Sequence, residues 1–125
     1  MAALTTMENV IECLRFPRYF SLGPKMPKAY VVAEVLISNP AAYEGYRALS
    51  TASVAQHGGN FIARGGKRDQ REGHDVAHSD AWRTVIIEFP SLKQAQDWYE
   101  SAEYQKAKEI RVANSIGRLF IVEGV

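Results

Sequence analysis

From Lys28 to Ile37 the odd positions Ala29, Val31, Ala33, Val35 and Ile37 are all apolar. The even positions Tyr30, Val32, Glu34 and Leu36 are mostly apolar as well. A run so rich in β-branched residues reads as a strand. Apolar content on both faces predicts a central strand covered on both sides. Ser38–Asn39–Pro40 then starts a helix, because Asn39 is a good N-cap and Pro40 loses no needed N–H. Its stripe would carry Tyr43, Tyr46, Leu49, Ser53 and His57, with Gly58 just past the end. Asn60 to Arg64 reads as a short strand closed by Gly65–Gly66. Lys67 to Asp80 is polar and predicts an exposed loop or hairpin extension.

Trp82 to Phe89 is the next clear strand, again mainly apolar on both faces. Ser91 with Gln94 forms a capping box for a helix that buries Leu92, Ala95, Trp98 and Tyr99. Ser101 looks like a fresh N-cap, so the helix is expected to kink or restart there and run to about Ala113. Ile116 to Glu123 is the last strand. The order β-α-β-β-α-β with right-handed crossovers gives a ferredoxin-like α+β fold, an antiparallel sheet with its helices on one face. The other face is apolar too, and an exposed apolar sheet of that size is a binding surface or a liability. A second copy packed face to face covers it economically, which predicts a homodimeric α+β barrel.

Residues 1–27 are a different matter. Pro17, Gly23, Pro24 and Pro27 break this stretch, and it reads as a tail or arm, with Met26 an alternative natural start. Glu8 and Glu12 and the lack of a basic start argue against a secretory signal. Residues 28–125 are expected to form a single domain, in keeping with a length of 125 residues.

The net charge of +1 exerts no global pull toward nucleic acid or anionic lipid. Cys13 is the single cysteine, which excludes an intramolecular disulfide and fits a reducing, cytoplasmic compartment. No apolar run approaches the roughly 20 residues needed to span a bilayer, so no membrane partner is expected.

The stretch HGGNFIARGGKRDQREGHD, from His57 to Asp75, invites a sharper reading. A phosphate-binding loop needs other spacings and a following helix, and neither is present. The local basic excess has no aromatic residues beyond Phe61 to stack bases, so nucleic acid is not expected. His74 and His78 are spaced as metal ligands on a helix, but Gly73 favours a loop and no third ligand is apparent, so no metal is expected. His57 either satisfies the end of its helix or serves as a base at a pocket mouth. Glu34 and Glu88 stand on otherwise apolar strand faces, where carboxylates need partners; Arg64, Arg83 and Arg118 are the candidates. They are either interface ion pairs or carboxylates of raised proton affinity.

AYVVAEVLISNPAAYEGYR, HGGNFIARGG, WRTVIIEFPS, QDWYESAEYQKAKEIR and the closing FIVEG together resemble the domain of unknown function 1330 family. The resemblance covers about Ala29 to Gly124. It implies a dimeric α+β barrel and no particular activity. More distant relatives on that fold include cofactor-free monooxygenases and small-ring isomerases.

The resulting expectation is a small-molecule enzyme or binder that needs no cofactor and performs proton transfer in a cleft between sheet and helices. Glu34, Tyr46, His57, Arg64, Arg83, Glu88 and Tyr104 are the pocket candidates. An arginine would orient an anion, and His57 or a glutamate would move the proton. The alternative is a non-catalytic dimeric binding module whose charges fix the interface. His57 and Arg64 stand at opposite ends of the short strand, which spans over roughly 15 Å at about 3.3 Å per residue, so the two are not expected to share one site by default.

Overall fold

The computed structural model describes residues 26–73 and 81–125. Almost all of the proposed tail, and the pair His74 and His78, lie outside the described residues. The elements run β1 Ala29–Ile37, α1 Pro40–Gln56, β2 Asn60–Arg64, β3 Arg83–Phe89, α2 Leu92–Glu100, α3 Ala102–Asn114 and β4 Ser115–Glu123. The local signals explain their ends. Asn39 accepts a hydrogen bond from the Ala42 amide and caps α1. Ser91 accepts from the Gln94 amide at 3.1 Å. Ser101 accepts from the Tyr104 amide at 3.1 Å, and its extended backbone divides α2 from α3. The expected restart is therefore a complete break between two helices.

The sheet has the order β2-β3-β1-β4, and every neighbouring pair is antiparallel. This is the ferredoxin-like arrangement, with β1 and β3 central. Ala29, Val31, Ala33 and Val35 of β1 are buried against the helices, alongside Ile87 and Phe89 of β3. Trp98 is fully buried among them, its ring 5.4 Å from Phe89 and 4.2 Å from Tyr104. Its indole N–H donates to Ser53 Oγ at 3.0 Å, so the core aromatic is tied to α1. The α1 stripe differs from expectation at one place. Leu49 is exposed, and Ser50 and Val54 are buried in the turns around it. Tyr43, Tyr46 and Ser50 follow the helical repeat inward, which leaves Leu49 on the flank.

Alternation puts the even β1 residues on the opposite sheet face. Val32 lies between Ile86 and Phe120, and Leu36 pairs with Ile116. Phe120 is 47% exposed, Val122 46% and Ile116 62%, a broad apolar surface. Two charged groups interrupt it. Arg118 holds Glu34 at 2.9 Å across the β1–β4 ladder. Glu88 accepts from the Tyr30 hydroxyl at 3.4 Å and lies 3.4 Å from Lys28 Nζ.

One irregularity shapes the other face. The β2–β3 register shifts between Phe61 and Ala63: Phe61 pairs with Ile87, Ala63 with Ile86 and Arg64 with Val85. Ile62 is the surplus residue of a β-bulge. In an unbroken strand Phe61 and Arg64, three positions apart, would face opposite ways. The bulge places both on the helix side, where the Arg64 guanidinium stacks 3.9 Å above the Phe61 ring.

Candidate functional site

Between α1, α3 and the sheet lies a cleft floored by Ala33, Val35, Val85 and Leu119. Its polar lining is Tyr43, Tyr46 and Ser50 together with Arg47, Arg64, Arg83 and Arg111. Those four guanidiniums come from four different elements, α1, β2, β3 and α3. Among the described residues no carboxylate lines the cleft. The enclosed space is about 30 Å³, room for roughly two water molecules.

Each arginine has a distinct setting. Arg64 donates to Thr51 Oγ1 at 2.9 Å and to the Arg47 carbonyl at 3.4 Å. Burial first, and then the charges of Arg47 and Arg83, pull its proton affinity below the usual arginine value. Arg83 lies against Gly65, whose positive φ of 72° turns the chain at the end of β2. A side chain at Gly65 would strike the Arg83 guanidinium. Arg111 is the deepest of the four, only 8% exposed. Its Nε donates to the Tyr104 hydroxyl at 3.3 Å, and it has no ion pair among the described residues. The Tyr104 hydroxyl lies 3.1 Å from that of Tyr46, which faces the cleft. Burial pushes the Tyr43 phenol up to about 12, helped by Tyr46 and opposed by Arg111 and Arg83. Burial raises Tyr104 still further.

The structure thus brings together Tyr46, Arg64, Arg83 and, through its hydroxyl, Tyr104. Three of the candidates, Glu34, Glu88 and His57, lie outside the cleft. Glu34 and Glu88 sit on the opposite sheet face, because β1 and β3 alternate strictly and their helix-facing positions are Val35 and Ile87. His57 caps the end of α1, with Nδ1 2.9 Å from the Ser53 carbonyl, and does not line the cleft. Arg47 and Arg111 belong to the site and were not anticipated. Both follow helical spacing: Arg47 is four residues after Tyr43, and Arg111 extends the buried row Tyr104–Ala107. A charged residue on a buried stripe was the available signal.

A wider hollow of about 560 Å³ opens on the other face, beside Glu34, Thr84, Arg118 and residues 66–73. Glu34 is already neutralised there by Arg118. The hollow therefore lacks what sets the cleft apart, a deep charge without a counter-ion. Among the described residues no group of acidic, histidine or cysteine side chains is placed to hold a metal ion. No helix among them is long and apolar enough to cross a membrane.

A four-stranded antiparallel sheet in this order, with its helices on one face, defines the ferredoxin-like α+β class. Within that class, the chain belongs to the domain of unknown function family DUF1330, matched over residues 28–125. Solved structures agree on the fold. A protein of unknown function from Rhodopseudomonas palustris aligns at TM-score 0.63 with 19% identity, covering 81% of this chain and 85% of that one. SnoaB, a cofactor-independent oxygenase from Streptomyces nogalater, aligns at TM-score 0.51 with 14% identity, covering 77% and 91%. A conserved protein from Methanosarcina mazei aligns at TM-score 0.51 with 12% identity, covering 80% and 95%. No curated protein matches the chain.

Proposed function

We propose that the cleft between helices and sheet binds a small organic anion, and that the protein is a cofactor-free enzyme or binder acting on it. One observation carries this reading: four arginines line the cleft and, among the described residues, no carboxylate does. A buried guanidinium without a counter-ion is costly, and an anion supplied by a ligand removes that cost. Arginine also presents paired N–H donors that match a carboxylate. With Glu34, Glu88 and His57 elsewhere, Tyr46 is the group placed to exchange a proton with the bound molecule. SnoaB, similar in fold, is a cofactor-independent oxygenase, which lends the cofactor-free reading support by analogy alone.

The same reading includes a homodimer formed through the open sheet face. Phe120, Val122, Ile116 and Ile62 expose apolar surface there, and the Glu34–Arg118 pair would be enclosed by the partner. The alternative is a non-catalytic dimeric module, and the small enclosed volume of about 30 Å³ favours it. Titration calorimetry with small carboxylates and with the matching neutral amides separates the two. Binding of the carboxylates alone, weakened by Arg111→Met, supports the anion site. Failure of every carboxylate to bind removes it.

A further inference from the structure

We infer that the cleft takes a one-carbon carboxylate, formate in the simplest case, held against the Arg111 guanidinium, and that larger acids are excluded by size. This rests on the anion-binding reading and adds the number of charges and the size of the molecule. Arg111 is 8% exposed, whereas Arg47, Arg64 and Arg83 are each half-buried. Water therefore reaches the last three, and Arg64 also donates to Thr51 Oγ1 and to the Arg47 carbonyl. Of the four, Arg111 alone lies inside the protein. Its Nε donates to the Tyr104 hydroxyl, and its remaining N–H donors have no acceptor among the described residues. One buried cation with spare donors asks for one anion at one place.

The space sets the size. It is about 30 Å³, room for roughly two water molecules. The two oxygens of a carboxylate take the places of two such waters, and their spacing matches the paired N–H groups of one guanidinium. Formate adds only a hydrogen beyond them. The walls leave little to spare. Ala33, Val35, Val85 and Leu119 close the floor, and the buried Tyr43 and Ser50 close the α1 side. A methyl added to formate would have to displace one of these groups. In a roomier cleft the same apolar floor would reward each added carbon about fourfold in affinity. The order of affinities along a homologous series therefore distinguishes a filled cleft from an open one. Phosphate, with four oxygens around one centre, is too bulky for the space and presents no planar carboxylate edge.

The test is titration calorimetry on the full chain at fixed pH and ionic strength, with formate, acetate, propionate, isobutyrate and inorganic phosphate. Formate should bind tightest, with acetate about fivefold or more weaker, the effect of forcing a methyl into a filled space, and propionate weaker again. Leu119→Ala opens the floor without touching a charge, and propionate should then gain on formate by about tenfold. Arg111→Lys keeps a cation but loses the paired donors, and it should weaken formate about tenfold. Propionate or isobutyrate as tight as formate on the parent chain overturns the size limit and leaves the anion site standing, as does phosphate tighter than formate. An unchanged order of acids in Leu119→Ala overturns it as well, and formate unaffected by Arg111→Lys overturns the placement at Arg111. If no acid binds, the anion site itself falls, and this inference with it.

Discussion

The hydroxyls of Tyr46 and Tyr104 lie 3.1 Å apart, joining α1 to α3 across 58 residues of sequence. An arginine N–H can only donate, so the Tyr104 oxygen accepts from Arg111 Nε while it also bonds the Tyr46 hydroxyl, and the three groups form one chain from α3 to α1. Tyr104→Phe breaks both links inside a fully buried site and should cost about 1–3 kcal/mol of stability in urea unfolding. Tyr46→Phe should cost less, because Tyr46 is half-exposed and water can replace it. A larger loss from Tyr46→Phe would contradict this ranking.

Alkaline pH should destabilise the fold. Tyr43 ionises near 10 when unfolded and about 12 when folded. A raised folded value means the native state holds its proton more tightly, so the stability is fully present below pH 10 and is lost as pH rises toward 12. The fall should be of order 2–3 kcal/mol, and Tyr104 is shifted in the same direction. Urea midpoints at pH 8, 10 and 11 check it, and in Tyr43→Phe the decline should be shallower. An equal decline in that variant would exclude Tyr43 as a cause.

Ser53→Ala looks mild and should not be. It removes the acceptor of the Trp98 indole N–H, and both residues are almost fully buried. An orphaned buried donor costs about 1–3 kcal/mol. Near-ultraviolet circular dichroism should show the indole environment altered at full helix content. A substitution within about 0.5 kcal/mol of wild type, the scatter of surface changes, would mean that water reaches the indole.

Gly117→Ala should be among the more damaging single-methyl additions. Gly117 pairs with Val35 at a φ of 154°, and an added Cβ would run into the Glu34 carbonyl. Overpacking of this kind costs about 1–3 kcal/mol. The same shift should loosen the neighbouring Glu34–Arg118 pair, so thermal melts of Gly117→Ala in the Arg118→Ala background should show less than the sum of the two losses.

Phe120→Glu tests the proposed dimer. Phe120 is 47% exposed on the open sheet face, on the edge strand β4, so a charge there should cost the monomer little and should abolish face-to-face pairing. Light scattering should give twice 14.0 kDa for the parent chain and 14.0 kDa for the variant. A variant that remains dimeric would move the interface elsewhere.

Features set by neighbouring residues were legible in the sequence. Asn39, Ser91 and Ser101 act as caps through contacts three residues away, and each begins a helix as expected. The strand order followed from the element order and the handedness of crossovers. The two faces of β1 were also readable, but which face met the helices was not, because both carry apolar side chains. That ambiguity is why Glu34 was assigned to the cleft. Arg64 was retained as a candidate, yet its heading depends on a bulge that no residue between Phe61 and Arg64 announces. Arg111 was overlooked because an arginine on a helix normally signals a solvated face. Only the tertiary packing shows it buried against Tyr104.

The bulge in β2 has one more consequence, for how the cleft can change. In β1 and β3, which pair without a break, gaining or losing one residue would exchange every inward side chain for an outward one. At Ile62 the strand already carries a spare position, so removing it leaves Phe61 and Arg64 pointing as they do now. A change of one residue can thus be absorbed at this point of the edge strand β2 while the two central strands keep their parity. A single surplus residue separates the part of the sheet that can change length from the part that cannot.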